Sequence, residues 1–237
     1  MKEKIFNYSK NRSFITNFII CLISLCSILL VPLIIQLLFS SFIKDGYVLT
    51  LLSNVILIIF LCLLYMKDLR LEAKTYFKNF WNNYKIGLKY YGLGVLAMVI
   101  FNAIIVVLLK DVSANENEVR QMLYTSPIIS LLSISIFAPF SEELIFRKSI
   151  RPLINNKLLY ALICGFLFGF AHILINFTSG SFVIPDLLYI LPYGSLGFAF
   201  AYMDYETNTT FTSIFMHATH NTVAALLLLL LYSGGIK

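Results

Sequence analysis

The chain has 237 residues, of which 59% are hydrophobic and 13% charged, about half the roughly 25% charged content of an ordinary soluble domain. That balance excludes a soluble globular protein and indicates an integral membrane protein. The formal charge of +6 arises from 18 basic and 12 acidic residues; the bases cluster between apolar runs, so the excess is read as membrane topology and calls for no nucleic-acid partner.

Apolar runs cover about 14–43, 47–66, 91–109, 127–140, 158–177, 187–203 and 211–232, and most reach the ~20 residues that a spanning helix needs. The first run exceeds the roughly 7–15 residues of a signal h-region, and no small-residue cleavage site precedes Val31 and Pro32, so it is expected to be a retained helix. The expected fold is all-α: a polytopic transmembrane helix bundle of about seven to eight membrane helices. It is read as one membrane domain, 1–237, with N-terminal membrane helices at about 14–109. Three segments hold 14 of the 18 basic residues: Lys2, Lys4, Lys10 and Arg12; Lys67, Arg70, Lys74, Lys78, Lys85 and Lys89; and Arg147, Lys148, Arg151 and Lys157. In a serpentine of helices these lie on one side, which the positive-inside rule assigns to the cytoplasm together with the N-terminus. The expected location is therefore a cell membrane, crossed several times.

Cys21, Cys26, Cys62 and Cys164 sit inside apolar runs without CxxC spacing and are read as packing residues. The polar interval 67–91 mixes bases with Phe77, Phe80, Trp81 and Tyr84, and fits either an amphipathic helix on an anionic membrane surface or an ordinary connector. The interval 110–127 is mildly acidic, falls on the outer side and shows no chemistry of its own.

Beyond it the polar residues become sparse and pointed. A charged side chain near the bilayer centre costs ~3 kcal/mol on insertion scales, so intramembrane ionisable groups usually face a partner or a cavity. Glu142 and Glu143 follow an apolar run, with Arg147 four residues after Glu143, the favourable order for an ion pair. If its helix continues to about Leu153, Glu142 lies ~17 Å from the cytoplasmic end, and His172 lies ~21 Å along the next helix. The chain's three histidines are His172, His217 and His220. His217 and Asn221 share a helix face at i and i+4, as do Phe168 and His172; His220 is the expected bystander. Two adjacent carboxylates in low dielectric repel each other, so pairing Glu143 with Arg147 leaves Glu142 free to take up a proton. Glu142 beside His172 suits water activation, and His217 with Asn221 suits oxyanion stabilisation. Glu142, His172 and His217 are equally candidate ligands for a divalent metal such as zinc, although HExxH is absent and Asn is a poor ligand. The residues leave open whether the water is metal-bound or held by Glu142 and His172. Pro139 is expected to kink the helix and turn Glu142 toward a cavity within the membrane.

In order, "EELIFR" (142–147) fits EExxxR, "FGFAH" (168–172) fits FxxxH and "HATHN" (217–221) fits HxxxN. Over about 126–231 the chain thereby resembles the CAAX protease and bacteriocin-processing (Abi) family of intramembrane proteases. The resemblance implies that Glu142 and His172 activate water, that His217 and Asn221 stabilise the oxyanion or complete a metal site, and that Glu143, Arg147 and Phe168 support them. It places Arg147 and Lys148 where they must snorkel or line a wet cavity, and His217, ~12 Å deep, shallower than its partners. It further implies a peptide, leader-sequence or membrane-protein substrate, and a link to peptide processing or bacteriocin self-immunity. Richness in Lys, Ile, Asn and Phe resembles that of a low-GC bacterium. The substrate is expected to arrive from the cytoplasmic leaflet. The alternative is a non-catalytic immunity or scaffold protein that binds a peptide or a membrane partner; a proton-coupled transporter would need the repeat symmetry that this chain lacks.

Overall fold

The computed structural model describes residues 12–178 and 180–234; Lys2, Lys4, Lys10 and Lys237 lie outside them. Among the described residues all regular structure is helical. Eight helices follow one another: α1 (Phe14–Phe39), α2 (Gly46–Lys78), α3 (Phe80–Leu109), α4 (Ala114–Thr125), α5 (Pro127–Leu153), α6 (Lys157–Thr178), α7 (Ile190–Thr207) and α8 (Thr210–Ser233). All except α4 are long and apolar enough to cross a membrane, and large outward faces such as Leu37, Val107 and Leu230 remain exposed for lipid. The protein is a multi-pass membrane protein.

Local chemistry sets the helix limits. Ser13 accepts from Thr16 N–H at the start of α1, Asp45 from Tyr47 and Val48 at the start of α2, and Thr209 from Phe211 at the start of α8. Lys110 and Asn208 adopt left-handed φ values of 55° at the ends of α3 and α7, the conformation that closes many helix C-termini. The 67–91 interval forms neither a separate surface helix nor a loop. Instead α2 runs on to Lys78, breaks at Asn79, and α3 begins at Phe80. At 1.5 Å per residue the 33 residues of α2 extend about 50 Å, well past a hydrocarbon core of about 30 Å.

The helix α7 lies between α3 and α6 and holds both closely through small residues. A Cβ on Gly94 of α3 would sit 2.6 Å from the Cβ of Ala199, and one on Gly197 of α7 would sit 2.8 Å from the Cβ of Phe168, so both contacts require glycine. Up-and-down order divides the bundle into a basic end, with the α2–α3, α5–α6 and α7–α8 connections, and an opposite end carrying α4. The basic end is packed shut by paired charges. Glu72 accepts from Lys148 and from the backbone N–H of Thr210 (3.0 Å), Arg12 pairs with Asp68, and Tyr160 O–H donates to Asp204 (2.8 Å). Arg147 and Lys148 therefore do not snorkel; they are 0% and 1% exposed with carboxylate partners. All four cysteines are free thiols, Cys21 and Cys164 buried.

Candidate active site

The site begins with the irregularity of α5. After Pro127 the chain is α-helical to Leu132, forms a π turn at Ser133–Phe137, returns to α at Ala138–Glu143, and forms a second π turn at Leu144–Lys148. At about 3.6 residues per turn, each inserted residue rotates the following face by roughly 100°, and such bulges are frequent at functional sites. In the first π turn, Ala138 N–H bonds the Ser133 carbonyl five residues back. The equivalent donor for Ile134 is Pro139, which has no N–H. The Asn221 amide of α8 fills that role, donating to the Ile134 carbonyl at 2.9 Å. The expected kink at Pro139 thus takes the form of two π turns and a side-chain bridge.

The two glutamates divide at this point. Glu143 is fully buried; its Oε1 lies 2.9 Å from Arg147 Nη1 and accepts from His217 Nδ1–H at 2.9 Å. Arg147 approaches off the N–H direction, making that contact mainly electrostatic, while its Nη2 makes a directed bond to the Gly197 carbonyl (3.1 Å). The guanidinium also lies over the Phe168 ring (4.5 Å) and near Phe200 (5.4 Å). His217 stacks on Phe200 with ring centroids 4.8 Å apart. A charge pair, two rings and a backbone carbonyl from three helices therefore lock His217, with Nε2 turned toward Glu142. Although its depth along α8 suggested a mismatch, His217 Nε2 lies 3.8 Å from Glu142 Oε2.

Glu142 has a different setting. Its side chain keeps 20% exposure, and Oε2 has no hydrogen-bond partner. With His172, His217, Phe168 and Asn221 it lines a cavity of about 350 Å³. His172 Nδ1 lies 2.8 Å from the Phe168 carbonyl. A carbonyl can only accept, so Nδ1 carries the proton and Nε2 of the neutral ring is an acceptor. The His172 ring stacks on Tyr193 at 4.4 Å, and the Tyr193 hydroxyl bonds Ser113 (2.7 Å) and Asn115 (3.2 Å) at the start of α4. His220 lines the same cavity, with Nδ1 3.3 Å from the Tyr91 hydroxyl. A larger groove of about 780 Å³ runs between α3, α6 and α7 on the lipid side and contains none of these ionisable groups.

The predicted residues Glu142, His172, His217 and Asn221 thus meet in one cavity, with Glu143, Arg147 and Phe168 packed behind. Sequence reasoning missed Tyr193 and Phe200, the aromatic shelves of the two histidines, and the share of α4. Asn115, Glu118, Val119 and Met122 line the cavity at offsets of 3, 4 and 7, one face of a helix; that spacing was the available signal.

A catalytic zinc ordinarily takes three protein ligands. Among the described residues no three His, Cys, Asp or Glu side chains are disposed to hold a metal ion, although the Nδ1 hydrogen bonds of both histidines leave each Nε2 free. The donor set as placed does not fit a three-ligand centre. Chemically, the cavity offers one carboxylate whose Oε2 accepts no hydrogen bond and lies 3.8 Å from His217, one imidazole fixed as an acceptor and a second imidazole backed by a carboxylate.

Residues 124–223 match the model of the family described as Rce1-like, the type II CAAX prenyl endopeptidase Rce1-like family. A stretch of 118 residues is 29% identical to the Bacillus subtilis (strain 168) protein named "Putative membrane peptidase YdiL", covering 48% of this chain and 43% of that one. The match therefore spans less than half the length of that relative. No solved structure matches. The segment that builds most of this site, residues 124–223, is therefore the part of the chain that resembles the Rce1-like CAAX endopeptidase family.

Proposed function

We propose that the protein is an intramembrane endopeptidase in which Glu142 activates water for attack on a peptide bond. The observation that carries this reading is the contrast between adjacent carboxylates. Glu143 is neutralised by Arg147 and bound to His217, whereas Glu142 presents an unpartnered oxygen to a cavity shared with His172.

Glu142 takes a proton from water, whose oxygen attacks the scissile carbonyl carbon while the C=O electron pair moves to oxygen. His172 Nε2 accepts a hydrogen bond from the same water and orients it. His217, when protonated, donates from Nε2 to the developing oxyanion, with the Glu143 carboxylate stabilising the imidazolium at Nδ1. One N–H of Asn221 holds Ile134, and the other remains for the oxyanion. On collapse the C–N bond breaks, and the proton held by Glu142 passes to the leaving nitrogen. The substrate is a peptide, leader sequence or membrane-associated protein, and the setting suggested by the sequence resemblance is peptide processing or bacteriocin self-immunity in a bacterium. The distribution of basic residues supports an N-terminus on the cytoplasmic side.

The test is cleavage of peptides by protein reconstituted in liposomes. Glu142→Gln, isosteric but unable to act as a base, is expected to lower kcat/KM by at least ~10²-fold, within the usual range for a general base, with an unchanged melting temperature. Activity retained in this variant would overturn the assignment. Derived without a metal, the reaction is expected to survive a chelator; loss on chelation and recovery with zinc would restore the metal reading.

A further inference from the structure

We infer that substrate reaches the cavity from the α4 end, opposite the basic end, and that Glu118 on its rim receives a cationic group of the peptide. The inference rests on the endopeptidase reading of the site and reverses the expected approach from the cytoplasmic leaflet.

The basic end offers no way in. Directly beyond Glu143, residues Leu144 to Lys148 are each 4% exposed or less, and Glu72 ties Lys148 to the first residue of α8. Opening that end would separate buried charge pairs. Toward the other end the cavity wall continues from Glu142 and His172 to Thr50 and Asn54 of α2 and to Glu118 of α4. The cavity thus extends toward the α4 end and carries polar side chains there.

Two buried oxygens in this wall, Glu142 Oε2 and Ser133 Oγ, have no hydrogen-bond partner, and Ser133 is 2% exposed. Buried polar atoms are ordinarily satisfied, and water or a peptide backbone in the cavity would supply the partner each of these two oxygens needs. Glu118 supplies the charge at the rim. Its neighbour Arg120 is taken by Glu116 at 2.6 Å, and among the described residues Glu118 forms no ion pair. Glu118 is exposed at this rim and so open to a ligand, and partial desolvation raises its carboxyl above the ordinary range. A Lys or Arg side chain, or a free amino terminus, would supply a partner through a charge-assisted hydrogen bond. Because 11 of the 14 basic residues among the described residues belong to the opposite end, the positive-inside rule turns this mouth outward, toward peptides that have crossed the membrane.

Two measurements on the full-length protein test this. The first is thiol labelling of Asn54→Cys with a membrane-impermeant maleimide, compared with the unaltered chain, in intact cells and in inverted vesicles. Labelling in intact cells supports the inference, and labelling confined to inverted vesicles overturns it. The second is binding of two otherwise identical apolar peptides carrying Lys or norleucine. The natural protein is expected to prefer the Lys peptide by on the order of tenfold, one charge-assisted contact. Glu118→Gln should bring the ratio near one, and Glu118→Lys should favour a Glu-bearing peptide. Equal binding by the natural protein, or a ratio unmoved by both substitutions, overturns the role of Glu118. Neither readout needs turnover, so a chain that binds and labels as described yet cleaves nothing would refute the endopeptidase reading alone.

Discussion

Glu142 and Glu143 are neighbours in the chain and opposites in environment, so their substitutions should separate. Removing Arg147 strands a buried carboxylate, which typically costs about 3–5 kcal/mol. Arg147→Met is therefore expected to lower the melting temperature sharply, whereas Glu142→Gln abolishes turnover and leaves melting unchanged. Thermal unfolding in detergent checks both; equal melting of the two variants would remove the division of roles. Tyr193 acts on His172 through its ring and on α4 through its hydroxyl. Tyr193→Phe keeps the ring and releases α4, so a several-fold loss of kcat, with the shape of its pH profile retained, is the expected outcome. Glu118, exposed yet raised by partial desolvation, must be ionised to attract a cation. Preference for the Lys peptide should hold at neutral pH and fade as pH drops, beginning above the range of an ordinary carboxylate; preference independent of pH between 4 and 8, the span in which ordinary carboxylates and histidines titrate, would contradict this. The pairing of Glu143 with Arg147 was legible from their four-residue spacing. The contact of Glu143 with His217 was not, because it joins residues 74 apart in the chain.

At the scale of elements, the spanning helices were legible because apolar runs of sufficient length admit little else in a bilayer. The two π turns of α5 were not, since no residue pattern distinguishes a five-residue from a four-residue hydrogen bond before the partners are in place. Pro139 was the visible clue, and its effect is exerted through the carbonyl it leaves at Ile134 and through Asn221. This gives a double-mutant test. Asn221→Ala strands that carbonyl and is expected to cost about 1–3 kcal/mol. Pro139→Ala restores a backbone donor, so the Asn221→Ala penalty should shrink in the Pro139→Ala background. Additive effects on unfolding free energy would show that the two residues do not share this carbonyl. The helix α4 was passed over for a related reason: its polar surface reads as a loop until the face bearing Asn115 and Glu118 is seen against the cavity.

At the scale of the whole molecule, the bundle is closed at one end by paired charges, and its cavity extends toward the other. The basic residues announced topology in the sequence, yet Arg147, Lys148 and Arg151 turn out to be buried inside that end, so part of the charge read as a topology signal is structural. In the proposed reading that closure protects a water-dependent reaction within an apolar bundle, and the claim that water is the reactant is the one to measure first. Reconstituted protein should be incubated with a cleavable peptide in water enriched in oxygen-18, and the products weighed by mass spectrometry. Hydrolysis at Glu142 is expected to place a single heavy oxygen in the new C-terminal carboxylate with the natural protein, and to yield no product with Glu142→Gln. Labelled product formed equally by both proteins, or intact peptide with the natural one, would contradict the account.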